Sequence, residues 1–554
     1  MTPRRASCNV ARRLTEHARR RPLRPAVIQQ LGWELSGRAR YEQMTFRQLD
    51  EASDRLAKGL QRIGLRRGDR TVLMVPPGLD FFTLTFALFK LGGVIVLIDP
   101  GLGPRRLGQC LNEVAPRAFI GVGRAHLART LLGWARRSLR IRVTVGRRRF
   151  PGTRGWDELW RAEEPRFPLA ETSSDETAAI LFTSGATGPP KGAVYTHGMF
   201  WAQLTSLRRH FGMRPGEVDV ATFPLFALFD AGLGATAVIP RMNAGRPASA
   251  DPRLLVAAIE DHGATRMFAS PALLDRLARY AEARRLTLRP LRRLYSAGAP
   301  VRPDILERLR RVLPPRAEIH TPYGATEALP VADVESREIL RRARRATARG
   351  AGICVGRPLP HVRLRLIRIV DGPIARWSPR LEVPAGAVGE IVVRGPVVSP
   401  AYYARDGMNG LAKIPGRNGR AFYHRMGDLG RFDPKGGLWF CGRKAHRVVT
   451  RSGLLLSDCC EGIFNAHPAV FRTALVGVGP PGDQTPVLCV ELEPGARPAD
   501  RESLRRELLE RASAHPMTRS IRAVLFHNAF PVDRRHNAKI DRPALARWAA
   551  RRLR

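Results

Sequence analysis

The chain has 554 residues, 44% of them apolar, and a formal net charge of +44. That length is too great for one compact core, so two to four domains are expected, and the composition is otherwise that of an ordinary globular protein. Only seven of the 93 basic residues are lysines, at positions 58, 90, 191, 413, 435, 444 and 539; the arginines are scattered and are not interleaved with aromatic residues, which disfavours a nucleic-acid groove. A solvated basic face is the plainer reading, and it leaves peripheral contact with membrane surfaces or acidic partners open.

The N-terminal MTPRRASCNVARRLTEHARRRP is basic and lacks an apolar stretch of signal-peptide length. The longest apolar runs, such as FFTLTFALFK, are too short and interrupted to span a bilayer. Seven cysteines form neither a CxxC pair nor a zinc spacing with histidines, which fits reduced thiols in a soluble, cytoplasmic protein. Short apolar runs at 71–76, 94–99, 118–123, 178–183 and 265–270 alternate with helical patterns such as FRQLDEASDRLAKGLQRIG and LLDRLARYAEARR. This alternation predicts an α/β fold with doubly wound, parallel-sheet subdomains. The segment ESREILRRARRATARG at 335–350 reads as an inserted helix.

After residue 360 the texture becomes strand-rich (VRLRLIRIV, VGEIVVRG, GGLWFCGRK), as in a small antiparallel, β-barrel-like module. The last stretch, with strands at TALVGVG, VLCVELE and IRAVLFH and a helix at ESLRRELLERASA, reads as a separate small α+β domain. The expected division is 1–441 for the large part and 442–554 for the small one.

Within this frame, TSGATGPPKG at 183–192 follows an apolar strand. A turn rich in Gly, Ser and Thr points backbone N–H groups inward and makes a concave anion site, so a triphosphate is the functional candidate and a plain surface turn the alternative. It is not a Walker A loop: Pro189 and Pro190 precede Lys191, and Gly192 rather than Ser or Thr follows it. In a chain that writes arginine almost everywhere, a retained lysine marks a place where a compact ammonium is needed, and Lys191, Lys444 and Lys539 fall in segments of this kind.

SAGAP at 296–300, TPYGATE at 321–327, FYHRMGDLG at 422–430, GRK at 442–444 and FPVDRRHNAKIDR at 530–542 complete an ordered set of motifs. In order and spacing they resemble the adenylate-forming (AMP-binding) superfamily of acyl-CoA synthetases, luciferases and peptide-synthetase adenylation domains, over nearly the whole chain. The resemblance implies ATP and Mg²⁺ as cofactors and a mobile C-terminal lid. It implies that Thr183, Ser184, Gly185, Thr187 and Lys191 cradle the β and γ phosphates. It further implies that Gly298, Ala299 and Pro300 wall the adenine, that Tyr323, followed by Gly324, stacks on it, and that Asp428 accepts the ribose hydroxyls. Thr326 would contact the α-phosphate, Glu327 would hold Mg²⁺, and Arg443 would reach the ribose or phosphate. Lys539 would bridge the substrate carboxylate and the α-phosphate, where an ammonium donor lowers the repulsion of two anions.

Departures from the family pattern are Ala186 for a Ser or Thr, Met426 before Gly-Asp, Ala445-His446 at the usual hinge, and Ala227 in FPLFALFDAG. YTHGMF, FPLFALFDAGLG, IPRMNAGRPA, CGRKAHRV and FPVDRRHNAKI look like the β-lactone synthetases of bacterial long-chain olefin biosynthesis. Such an enzyme adenylates a 2-alkyl-3-hydroxy fatty acid and closes the ring by attack of its own hydroxyl, with the effective concentration of an intramolecular reaction. His197 and Asp230 are candidates for the base; a packed histidine and a helix-capping aspartate are the alternatives. An ordinary long-chain acyl-CoA ligase shares every ATP-site residue and is the first rival; a basic nucleic-acid-binding protein is the second. The resemblance also implies olefin-pathway partners: a thiolase-like enzyme, an NADPH-dependent reductase and a β-lactone decarboxylase.

Overall fold

A computed structural model describes residues 7–161, 166–183, 189–243, 245–416, 421–493, 501–532 and 539–553. The α/β expectation holds in two sheets. One runs Ile141–Val145, Ala118–Val122, Arg70–Met74, Val94–Leu97, Thr177–Thr183 and Lys191–Thr196, parallel throughout except for the last, antiparallel pair. The other runs Glu318–His320, Arg293–Tyr295, Arg266–Phe268, Val218–Ala221, Thr236–Ile239, Pro25–Trp33 and Ala39–Thr45, again parallel up to a final antiparallel hairpin. Strands of a parallel sheet are covered on both faces and so read as continuous apolar runs. Val72, Val96, Ile120 and Ile180 accordingly have no exposure at all.

The helix Leu79–Leu91, LDFFTLTFALFKL, is apolar on every side, and all but its first two residues are buried. It belongs to a core cluster that draws on both sheets. Gly92 ends it in the left-handed region (φ 74°), the conformation a helix C-terminus of this kind requires. Lys90 on this helix is fully buried and is held by Asp50 and Asp54, each at 2.6 Å.

The strand-rich region forms a third, mainly antiparallel sheet of eight strands between the edges Tyr323–Ala325 and Arg363–Ile367. It is open: the two edges do not pair, so the barrel-like expectation gives way to a sheet without closure. The inserted segment is helical, from Ser336–Glu338 through one π-type turn at Ile339–Ala343 to Arg344–Thr347.

The last strand of that sheet, Leu438–Arg443, pairs with Phe422–Phe432 as far as Arg443 opposite Asp428. The chain then leaves through a single 3₁₀ turn, Lys444–His446. Beyond it, Val470–Val478, Thr485–Leu492 and Ala523–Phe526 make a three-stranded sheet covered by Ser457–Phe464, Arg501–Ser513 and Arg542–Arg552, with core clusters of its own. Arg302 joins this small module to the large part through the Phe471 carbonyl (2.8 Å) and Glu493 (2.7 Å). No helix among the described residues is long and apolar enough to cross a membrane.

Candidate active site

One cavity of about 2630 Å³ runs between the two parallel sheets, the open sheet and the small module. Its charged end is built from short elements that aim side chains inward. Tyr323–Ala325 turns back on Ala328–Asp333 with a bulge, which leaves Thr326 and Glu327 at the hairpin tip, lining the cavity. Gly324 is needed there because a Cβ would lie 2.7 Å from the Ala328 carbonyl oxygen. Asp428 sits where the pairing of Phe422–Phe432 with its neighbour slips between Arg425 and Leu429, after Gly427 with φ 68°. Such a bulge re-aims a side chain. Asp428 is 4% exposed; its Oδ2 accepts from the Tyr323 hydroxyl (2.5 Å) and its Oδ1 from Arg443 (2.7 Å). Burial and the Asp428 carboxylate push the Tyr323 phenol well above its ordinary range, so the ring is held as a neutral donor.

Gly298, with φ 93°, and Ala299 and Pro300 follow the strand Arg293–Tyr295 and line the same end. Tyr323, Thr326, Glu327, Asp428 and Arg443 are thus brought together with the 298–300 turn. Lys191 opens its strand opposite Thr183, so the backbone of Thr183 and Lys191 forms the base of the intervening hairpin. Ser184, Gly185, Ala186 and Thr187 lie outside the described residues, as does the Thr183 side chain. The Lys191 ammonium stands 5.1 Å from the centre of the Tyr402 ring, and burial lowers its pKa against the counter-pull of Glu327. Lys539 and Arg542 line the cavity from the small module.

Four supporting residues escaped the motif reading. Tyr402 donates to Glu327 Oε1 (2.6 Å), Tyr195 donates to the Thr326 carbonyl (2.5 Å), and Ser399 donates its N–H to the Glu327 carbonyl (2.8 Å). Lys413 donates to the Ser399 carbonyl (2.5 Å), and burial pushes its ammonium down to about 7. The scarcity of lysine was the one signal that pointed to Lys413.

The other end of the cavity is aromatic. Phe226 packs edge-on against Phe268 (4.5 Å) and beside Phe229 (6.4 Å), which in turn meets Phe200 (6.1 Å). Ala227 has no exposure. Asp230 lies six residues into the helix Pro224–Leu233, roughly 9 Å along the axis from its start, and does not cap it. Its Oδ1 accepts from Arg266 (2.8 Å), whose Nε lies 3.2 Å from Glu217. Asp219 neighbours Asp230, and burial together with this like charge raises the Asp230 carboxyl. Burial works against the Arg266 charge, but Asp230, Asp219 and Glu217 together outweigh it and hold the guanidinium ionised.

His197 is not brought to the site. It opens the helix His197–Arg209, has no exposure, accepts the Val10 N–H at Nδ1 (3.3 Å), packs against Phe89 (6.0 Å) and is absent from the cavity lining. Burial lowers it to about 4, so it is neutral at pH 7.

The arrangement sets a buried carboxylate held by a phenol and a guanidinium, with cationic side chains beside it, at one end and an extended apolar chamber at the other. The AMP-binding enzyme family profile matches residues 14–403. Two relatives, each described as olefin beta-lactone synthetase, align along nearly their whole lengths. The one from Xanthomonas campestris pv. campestris is 48% identical over 553 residues, covering 98% of both chains. The one from Stenotrophomonas maltophilia is 48% identical over 552 residues, covering 99% of both. Among solved structures, an amide bond synthetase from Marinactinospora thermotolerans superposes with a TM-score of 0.78 at 23% identity, over 98% of this chain and 99% of that one, a likeness of fold. The chain belongs to the AMP-binding enzyme family, alongside the olefin beta-lactone synthetases within it.

Proposed function

We propose that the protein uses ATP to adenylate a long-chain 2-alkyl-3-hydroxy fatty acid and then closes the acyl adenylate to a β-lactone. In the first step a carboxylate oxygen bonds to the α-phosphorus and the bond to the bridging oxygen of pyrophosphate breaks. In the second the 3-hydroxyl oxygen bonds to the acyl carbon, AMP leaves, and the hydroxyl proton passes to solvent. Because the nucleophile is tethered to the electrophile, no thiol acceptor is required.

The observation that supports this reading most is that Lys539 of the small module lines the same cavity as Asp428, Arg443 and the aromatic chamber. Lys539 would then reach the reacting carboxylate and α-phosphate. Asp428 would hold the ribose, with Tyr323 tethered to it and its ring toward the adenine. Gly298, Ala299 and Pro300 would wall the base. Thr326 would contact the α-phosphate, and Arg443 the ribose or phosphate. Thr183, Ser184, Gly185, Thr187 and Lys191 would cradle the outer phosphates.

Glu327 would hold Mg²⁺. No group of three or more His, Cys, Asp or Glu able to hold a metal occurs among the described residues, and one carboxylate beside a phosphate site suits an ion that keeps phosphate oxygens and waters as its other ligands. The resemblance to the olefin beta-lactone synthetases implies a thiolase-like enzyme, an NADPH-dependent reductase and a β-lactone decarboxylase as partners.

The test is mass spectrometry of the product from a synthetic 2-alkyl-3-hydroxy acid with ATP and Mg²⁺ and no coenzyme A. A neutral lactone and one AMP per turnover are expected. Accumulation of acyl adenylate that is discharged only when coenzyme A is added would overturn the reading in favour of a thioester-forming ligase.

A further inference from the structure

Charge is unevenly spread along the chain: residues 114–156 hold eleven arginines and no Asp or Glu. The segment folds as two neighbouring strands of the first parallel sheet, Ala118–Val122 and Ile141–Val145, with the helix Gly123–Leu131 between them. On the outer face of this helix Leu127 is 50% exposed, Leu131 75% and the following Leu132 51%, one cluster within six residues. Leu127 and Leu131 are four apart, so they share a face, and Arg124 lies three residues before Leu127 on that face.

The opposite side is anchored. His126 bonds the Val143 carbonyl (2.8 Å) and stacks on Phe150 (5.8 Å), which brings the exposed Arg147–Arg149 turn beside the helix. Arg136 and Arg137 follow on the exposed loop, and among the described residues no ion pair engages Arg124, Arg136, Arg137, Arg147 or Arg148. The inner side of the same helix, Ala125 and Ala128, together with Val122 before it and Trp134 after it, lines the cavity, while Arg124 is both exposed and part of that lining.

We propose that this face docks on the surface of an anionic lipid bilayer. Leu127, Leu131 and Leu132 enter the boundary between headgroups and acyl chains, and the surrounding arginines sit on lipid phosphates. A helix with aliphatic residues at the centre and cations at the rim is the form an interfacial element takes. A nucleic-acid surface would instead present aromatic platforms among its cations, and leucines contribute nothing to a phosphate backbone. The cavity wall directly behind the helix gives the docking a use: an apolar acid leaving the bilayer passes into the chamber without crossing water. That last step rests on the proposed long-chain substrate; the docking does not.

The test is co-sedimentation of the full chain with vesicles of phosphatidylcholine alone and of phosphatidylcholine mixed equally with phosphatidylglycerol. Binding to the anionic vesicles only is expected. The combined variant L127D/L131D/L132D should weaken that binding more than tenfold with an unchanged melting temperature. R136Q/R137Q/R147Q/R148Q should weaken it by about fivefold per arginine removed. R19Q/R20Q, two exposed arginines at the end of the helix Arg12–Arg20, should bind as the parent does. Pyrophosphate release with a short, water-soluble 3-hydroxy acid should be the same in parent and leucine variant, so loss of docking and loss of chemistry are read separately. Parent protein left in the supernatant, or a leucine variant that binds as tightly as the parent, overturns the proposal. A leucine variant that keeps its vesicles and instead loses a protein partner overturns it too.

Discussion

The two ends of the cavity both carry buried charge but treat it in opposite ways. At the aromatic end Arg266 is enclosed by Asp230, Asp219 and Glu217, and Glu217 also pairs with Arg293, a knot whose partners all come from the protein. At the charged end Asp428 is gripped by one phenol and one guanidinium, Glu327 by one phenol, and Lys191 stands over a ring. A carboxylate has about four lone-pair sites, so Asp428 keeps acceptor capacity after those two bonds. Charge that the protein neutralises itself serves to position strands; charge left partly unmatched serves a ligand.

The sharpest way to break this comparison is to open the knot. Arg266→Met leaves two acids buried without their cation and should cost about 3–5 kcal/mol of stability. Adding Asp219→Asn and Asp230→Asn to it should restore most of that loss, because a whole buried ion cluster is replaceable where half of one is not. Urea unfolding of the two variants measures the contrast. If the triple variant is no more stable than Arg266→Met, the cluster is not a self-contained ionic unit.

At the charged end the same logic predicts lost activity with stability kept. Lys539→Ala should lower the rate of pyrophosphate release about 10²–10³-fold, the usual effect of removing one donor from a developing negative charge, while the melting temperature stays put. Asp428→Ala should raise the KM for ATP through the loss of charge-assisted hydrogen bonds of about 1.5–3 kcal/mol, roughly 10–150-fold, and change kcat less. Steady-state kinetics on refolding-competent variants separates the two. Equal losses of kcat and KM control in both variants would mean that the charged end acts as one structural unit.

How much of this was legible in the sequence follows from the range of each interaction. The parallel strands were readable because both of their faces are buried, so Val72, Val96 and Ile180 fall in unbroken apolar runs. Asp428, Arg443 and Tyr323 were readable because each lies in a motif with a fixed local backbone, such as the left-handed Gly427 before Asp428. Tyr402 and Tyr195 were not, because their hydroxyls meet Glu327 and Thr326 across 75 and 131 residues of sequence. Rarity of lysine separated cavity-lining from plain positions only in part: it pointed at Lys191 and Lys539, which line the cavity, but equally at Lys90, whose two aspartates make it a packing device. Asp230 read as a base or a cap because its true partner, Arg266, comes from a strand 36 positions away. The basic composition read as a uniform bias, whereas residues 114–156, which include the helix Gly123–Leu131, hold eleven arginines and no acid.

The smallest effect at neutral pH is expected at His197, and it separates a buried ionisable group from a catalytic one. Its pKa is about 4 in the folded protein against an ordinary 6.5, because burial disfavours the imidazolium. Between those values the unfolded chain binds the proton and the folded chain does not, so stability is lost as pH falls from 6.5 towards 4 and the loss is complete below 4. His197→Asn, whose side-chain oxygen can still accept the Val10 N–H, should flatten the stability profile across that window and leave the yield of lactone per pyrophosphate at pH 7 unchanged. A profile as steep as the parent's would show that His197 is not the group being titrated. Normal pyrophosphate release without lactone would make the buried histidine the proton acceptor for ring closure after all, and Asp230→Asn, expected to form lactone normally, is the matching control.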